Sequence, residues 1–98
     1  MKIFIRKKYL VVPVGTYATN KKLCFYESAG SEKTLVMDFD CKMDFLNPTY
    51  TAYIDVSQFK GRELEYCSIP QMDFLLDQCD EKKIEGVYRE EFRPFVHY

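Results

Sequence analysis

The sequence predicts an all-β fold, a small antiparallel β-sandwich, with a five-stranded barrel as the alternative. Two features of the chain lead to this prediction. Short segments that alternate apolar and polar residues recur along it, and clusters of turn-forming residues separate them. Roughly six or seven strands of this kind, with little helix, bury their apolar faces only if two sheets stack or one sheet closes on itself.

Three of these segments lie in the first half of the chain. Residues 9–14 form the first apolar run and residues 22–28 the second. The Ala-Gly-Ser cluster at 29–31 predicts a tight turn, which leads into a third strand at 33–41. That strand has an apolar face and a more polar one. Their members are Leu35, Met37, Phe39 and Cys41 on the predicted buried side, and Val36, Asp38 and Asp40 on the solvent side.

The clearest alternation follows a turn signal at Asn47 and Pro48. One predicted face carries Tyr50, Ala52, Ile54 and Val56, and the opposite face carries Thr51, Tyr53 and Asp55. Gly61 then interrupts the pattern before a strand at 62–69. Beyond Pro70, residues 71–78 fit either another strand or a short helix, because their apolar residues satisfy neither period cleanly.

A change of composition marks the end of this β-rich region. From residue 80 a charged run continues to Gly86, which is typical of a linker or a surface loop. We therefore expect one folded module over residues 1–80. The aromatic segment at 88–98 resembles a strand that enters a further domain, so residues 81–98 are expected to be a linker and the first segment of that domain.

The charge and the apolar runs exclude several classes of partner. The formal net charge is -1, so nucleic acid is not expected as a partner although the chain has eight Tyr and eight Phe. No apolar run approaches the ~20 residues that a bilayer-spanning helix needs. The basic start and the run at 9–14 do not meet the pattern of a signal peptide. This favours a cytoplasmic location, with a secreted parent protein as the open alternative.

Catalytic and metal-binding residues are not expected in this chain. The four cysteines, Cys24, Cys41, Cys67 and Cys79, form no C-x-x-C pair, which argues against a zinc ribbon and favours reduced, buried thiols, with disulfides as the alternative. The distance between Asp38 and Asp40 on a strand falls in the range that separates the two carboxylates of an inverting glycosidase. The alternation, however, predicts that both lie on a solvated strand face. His97 has no nucleophile near it in sequence. No cofactor is expected either.

The predicted polar face of residues 50–56 is the candidate binding surface. Tyr53 shares it with Thr51 and Asp55. A flat ring beside hydrogen-bonding side chains can stack on a sugar while its neighbours bind the hydroxyl groups. The alternative is that Tyr53 covers another layer of the fold or packs on an adjoining domain.

Four segments of the chain resemble the N-terminal β-sandwich module that precedes the catalytic propeller in some enzymes of glycoside hydrolase family 32. They are residues 9–14, 53–61, 84–91 and 93–98. The last is the most specific, because in that family an Arg-Pro-x-x-His-(Phe/Tyr) run leads into the W-x-N-D-P-N-G motif of the catalytic nucleophile. These enzymes cleave β-fructosides such as levan and inulin. The motifs of the family's three catalytic acids are absent from this chain.

The resemblance implies a non-catalytic accessory module of a fructan-hydrolysing enzyme, whose partner is a C-terminal catalytic propeller of the same chain. It also implies residues of the interdomain contact. They are Tyr88, Phe92, Arg93, Pro94, His97 and Tyr98. The alternatives are an independent carbohydrate-binding module, which would bind fructan through Thr51, Tyr53 and Asp55, and a β domain that mediates protein contacts.

Overall fold

The computed structural model describes residues 1–81 and the backbone of residues 95–96. These residues form two antiparallel sheets and no closed barrel, which confirms the predicted all-β sandwich. The strands are β1 (Lys2–Phe4), β2 (Tyr9–Val14), β3 (Lys21–Ala29), β4 (Glu32–Cys41), β5 (Tyr50–Asp55), β6 (Glu63–Ile69), β7 (Asp77–Cys79) and β8 (Phe95–Val96). Sheet A has the order β1-β6-β3-β4-β8, and sheet B has the order β5-β2-β7. A 3-10 turn, Ser57–Phe59, follows β5.

One apolar core joins the inner faces of the two sheets. Phe25, at the centre of sheet A, is fully buried and stacks on Phe39 and Tyr66, with ring centroids 5.7 and 5.6 Å away. From sheet B, Leu10 and Ile54 belong to the same core and are also fully buried. Burying such side chains stabilises a fold by ~1.5–3 kcal/mol each. The core therefore accounts for the pairing of the two sheets.

The alternation of β5 is the prediction that the structure follows most closely. Ala52, Ile54 and Val56 are buried and Tyr50 packs against the core, while Thr51 and Asp55 on the opposite face are exposed. The turn predicted at 29–31 is also present, as a two-residue connection between the paired residues Ala29 and Glu32. Gly30 has φ 67° at its first position, which suits a type II′ turn and the twist of the hairpin.

In β4 the predicted alternation is wrong at Leu35 and Val36. Val36 is buried in the core, whereas Leu35 is only half-buried and lies opposite Tyr26. The reason is a β-bulge, because the register passes from Phe25↔Met37 to Tyr26↔Leu35 and leaves Val36 without a partner. An extra residue in one strand of a pair reverses the faces of the residues on one side of it.

Two further elements differ from the sequence prediction. Residues 71–76 form neither the strand nor the short helix expected at 71–78, and only Asp77–Cys79 is a strand. β1 was not predicted, because a three-residue edge strand is too short to show a period. It pairs with β6 and forms that edge of sheet A.

The expected domain boundary near residue 80 stays a prediction. Within the predicted linker and exit segment, β8 pairs with β4 through Met37↔Val96 and Asp38↔Phe95. The residues expected at an interdomain contact lie outside the described residues. These are Tyr88, Phe92, Arg93, Pro94, His97 and Tyr98.

The ion pair between Lys33 and Glu65 gives a testable pH dependence. Lys33 Nζ lies 2.9 Å from Glu65 Oε2, and its hydrogen bond lowers the pKa of Glu65 below the ordinary value. Because the folded pKa lies below the unfolded one, the stabilisation is present at neutral pH and is lost as the pH falls through the pKa of Glu65. We expect Lys33→Met to raise that pKa in an NMR titration. Lys60→Met, directly after the 3-10 turn, is the control, and an unchanged pKa in Lys33→Met would contradict the assignment.

Candidate functional site

The outer face of sheet B brings the predicted binding residues together with part of β2. Strand β5 contributes Thr51, Tyr53 and Asp55 to it. The register places Tyr9 opposite Asp55 and Val11 opposite Tyr53. Directly opposed residues of an antiparallel pair point to the same side of a sheet. We call this surface, made of Tyr9, Val11, Pro13, Thr51, Tyr53 and Asp55, the tyrosine face.

Two aromatic rings form the centre of the tyrosine face. The rings of Tyr9 and Tyr53 meet edge to face, with centroids 6.2 Å apart and planes at 79°. Both side chains are half-buried, so each keeps part of its ring in contact with solvent. Lys8 Nζ lies 5.2 Å from the centroid of the Tyr9 ring, which adds a cation–π contact. The surface thus combines two ring systems with a positive charge.

Asp55 also has a structural role that the sequence prediction did not include. Its Oδ1 accepts hydrogen bonds from the backbone N–H of Ser57 at 2.9 Å and from the Ser57 hydroxyl at 2.6 Å. These bonds set the start of the 3-10 turn after β5. A ligand hydroxyl would therefore meet a carboxylate that the chain already holds in a fixed orientation. Thr51, by contrast, is exposed at the other end of the tyrosine face.

A polar cleft lies at the end of the sandwich where β2 and β4 finish and β3 and β5 begin. Its volume is about 260 Å³, slightly below the ~300–1,000 Å³ of typical small-molecule sites. The lining residues are Val14, Gly15, Thr16, Asn20, Asp40, Cys41, Lys42 and Tyr50. Burial raises the pKa of the Cys41 thiol to about 11, so Cys41 is not a thiolate nucleophile at neutral pH. The cleft thus offers hydrogen-bonding groups and no reactive sulfur.

Sequence reasoning missed this cleft because four separate segments build it. Of its lining residues, the sequence points to Asp40 only as a partner of Asp38, to Cys41 only as one of four cysteines and to Tyr50 only as part of a strand face. The two carboxylates lie on the outer face of sheet A, where Asp40 is exposed and Asp38 Oδ2 is 3.7 Å from Lys22 Nζ. An ion pair of this kind explains Asp38 without a catalytic role. Within residues 1–81, no group of three or more His, Cys, Asp or Glu side chains has the arrangement of a metal site.

Two of the four cysteines follow the expectation of buried thiols. Cys24 and Cys41 are buried, whereas Cys79 is half-buried and Cys67 is exposed, and all four are free thiols. The described part of the chain contains no helix of the length and hydropathy that a membrane span requires. No protein family, curated protein or solved structure matches the chain.

Proposed function

We propose that the chain is a non-catalytic β-sandwich module of a fructan-hydrolysing glycoside hydrolase, and that it packs on and stabilises the catalytic domain. The observation that carries the proposal is the place of the family-like segments in the fold. Residues 9–14 are β2, the central strand of sheet B, and residues 53–61 run from β5 through the 3-10 turn to Gly61. The two segments are neighbours, since β2 pairs with β5 over its whole length.

Backbone hydrogen bonds tie these segments into one unit. The N–H of Val56 donates to the carbonyl of Lys8, and the N–H of Gly61 donates to the carbonyl of Ile5, each at 2.8 Å. Gly61 has φ 85°, a conformation that favours glycine over any other residue. The resemblance therefore falls on residues that shape the sandwich and its chain path, which supports the assignment to a structural module.

Three exposed apolar side chains on the loops at the end of β2 and β4 support the packing role. Tyr17, Phe45 and Leu46 are 98%, 41% and 89% exposed. They lie on two loops that the hydrogen bond from Thr16 N to Thr49 Oγ1 holds together at 3.2 Å. We call Tyr17, Phe45 and Leu46 the loop surface. Exposed apolar groups of this kind are typical of contact sites, and the occupant that we propose is the catalytic domain.

Strand β8 lies at the edge of sheet A, beside β4. Its segment, residues 93–98, carries the most specific part of the resemblance, and Phe95–Val96 pairs with β4. β4 in turn continues into the loop that carries Phe45 and Leu46. A domain that follows β8 would thus begin beside β4, although the antiparallel direction of β8 leads towards the start of β4 and away from the loop surface.

Two experiments test the packing proposal. The first is to read the gene beyond codon 98, where we expect a Trp-x-Asn-Asp-Pro-Asn-Gly motif shortly after the codon for Tyr98. The second is to introduce Leu46→Asp into the complete enzyme, which we expect to lower its Tm while the Tm of the 98-residue chain stays unchanged. Phe4→Asp, on the edge strand β1 of sheet A, is the matched control. Absence of the motif, or an unaffected Tm of the complete enzyme, would contradict the proposal.

The tyrosine face favours a second candidate function, the direct binding of fructan. Tyr9 and Tyr53 present two partly exposed rings beside Thr51 and Asp55, the combination that sugar rings and hydroxyl groups bind. We expect inulin or levan in a native affinity gel to retard the chain. Tyr53→Ala should abolish the retardation and Tyr17→Ala, a fully exposed tyrosine on another surface, should leave it unchanged. Equal migration with and without polysaccharide would exclude this function.

A further inference from the structure

Two cysteines face each other across the middle of sheet A. In the register of β3 and β6, Cys24 lies directly opposite Cys67. Their neighbours Phe25 and Tyr66 are buried on the inner face, so the two thiols are on the outer face of the sheet. The sequence separation of the two cysteines gave no indication of this pairing, which depends on the strand order.

The backbone hydrogen bonds define the spacing of this pair. Tyr66 and Met1 form two hydrogen bonds. Met1 N donates to the carbonyl of Tyr66 at 2.9 Å, and the N–H of Tyr66 donates to the carbonyl of Met1 at 2.7 Å. The N–H and C=O of Tyr66 thus point away from β3, and those of the next residue, Cys67, point towards it. Cys24 and Cys67 are therefore a hydrogen-bonded pair, for which the Cα atoms are ~5.5 Å apart. Disulfides span Cα separations of about 4.4–6.8 Å.

The other two cysteines do not compete for this partner. Cys41 lies opposite Lys21 at the end of sheet A, and Cys79 belongs to sheet B, where it lies opposite Tyr9. Within the pair, Cys67 is exposed and Cys24 is only 4% exposed. Burial raises the pKa of Cys24, while a hydrogen bond with Tyr26 lowers it in part. Cys67 is therefore the thiol that an external reagent meets first.

We propose that Cys24 and Cys67 form a reversible thiol–disulfide exchange site on the outer face of sheet A, with low-molecular-weight disulfides as the oxidants. The Cys67 thiolate attacks one sulfur of the small disulfide, forms a mixed disulfide and releases one small thiolate. The Cys24 thiolate then attacks the sulfur of Cys67, which releases the second small thiol. In total, two protein thiols and one small disulfide give one protein disulfide and two small thiols.

The bond would have two physical consequences. It would link the central strand β3 to β6 and remove conformational freedom from the unfolded chain between residues 24 and 67. It would also require the two Cβ atoms to approach more closely than in a relaxed hydrogen-bonded pair, because disulfides need a Cβ separation of about 3.5–4.5 Å. A bond formed against such a constraint is more easily reduced, which suits a reversible site.

The test uses the 98-residue chain in buffers of oxidised and reduced glutathione. We expect a mass loss of about 2 Da under oxidising conditions, with peptide mapping that links Cys24 to Cys67. The Tm of this species should rise by at least about 5 °C and return to its original value with a reducing agent. Cys24→Ser and Cys67→Ser should each abolish both changes, and Cys79→Ser should abolish neither.

Three outcomes would overturn the proposal. One is a stable glutathione adduct on Cys67 that Cys24 does not displace. Another is a disulfide between any other pair of cysteines. The third is an oxidised species with an unchanged Tm, since it would show that the folded sheet favours the bond no more than the unfolded chain does. None of these outcomes depends on the packing or sugar-binding role proposed above.

Discussion

Phe25→Ala is expected to lower the free energy of unfolding by about 3–5 kcal/mol. Phe25 is fully buried and stacks on both Phe39 and Tyr66, so its removal opens a cavity at the centre of sheet A and also removes two ring contacts. Stabilities of small domains are about 5–15 kcal/mol in total. The variant should therefore be marginally folded or unfolded at room temperature.

Urea denaturation followed by circular dichroism measures this effect. The control is Tyr17→Ala, which removes an aromatic ring that is 98% exposed and should change the free energy of unfolding by less than about 0.5 kcal/mol. Phe25→Leu, which keeps most of the buried volume, should lie between the two. A loss below about 1 kcal/mol for Phe25→Ala would contradict a core centred on this ring.

The sequence predicted the fold class because most of the apolar side chains follow a period of two. Strand β5 is the clearest case, because its alternation predicts both of its faces correctly. The failure in β4 has a specific cause. A bulge inserts one residue, Val36, and no local pattern signals it, because both Leu35 and Val36 are apolar and the position of the bulge depends on the partner strand β3.

The candidate site was predictable only in part, as the fold was. Alternation alone placed Thr51, Tyr53 and Asp55 on one face. The contribution of Tyr9 to that face was not predictable, because it requires the pairing of β5 with β2, and strand order is a property of the whole fold. The pairing of Cys24 with Cys67 was hidden for the same reason. Local periods assign faces, whereas long-range register brings residues together.

The segment at 71–76 shows a different limit of sequence reasoning. Phe74 and Leu76 are buried and Leu75 is 73% exposed, so the side chains alternate as in a strand. In a sheet, the backbone of a neighbouring strand would bind the backbone groups of this segment. Here, side chains of β6 form hydrogen bonds with those groups instead. The Tyr66 hydroxyl donates to the carbonyl of Phe74 at 2.8 Å, and Ser68 Oγ accepts from the N–H of Met72 at 3.1 Å. The Ser68 hydroxyl also donates to the carbonyl of Pro70 at 2.9 Å.

These two hydroxyl groups are therefore expected to hold the segment in place. The double variant Tyr66→Phe and Ser68→Ala should lower the free energy of unfolding by about 2–4 kcal/mol, because it leaves the Phe74 and Pro70 carbonyls and the Met72 N–H without their protein partners. Neither substitution removes the ring of residue 66 or adds volume, so the aromatic stack on Phe25 should persist.

Hydrogen exchange distinguishes this local role from a general loss of stability. In the double variant, the amides of β3 should exchange faster only by the factor that the lower free energy of unfolding predicts. The amides of residues 71–76 should exchange faster by a larger factor. Ser31→Ala, in the exposed β3–β4 turn, removes a hydroxyl without such contacts and is the control. If the amides of residues 71–76 keep their protection in the double variant, backbone packing rather than the two hydroxyl groups holds this segment.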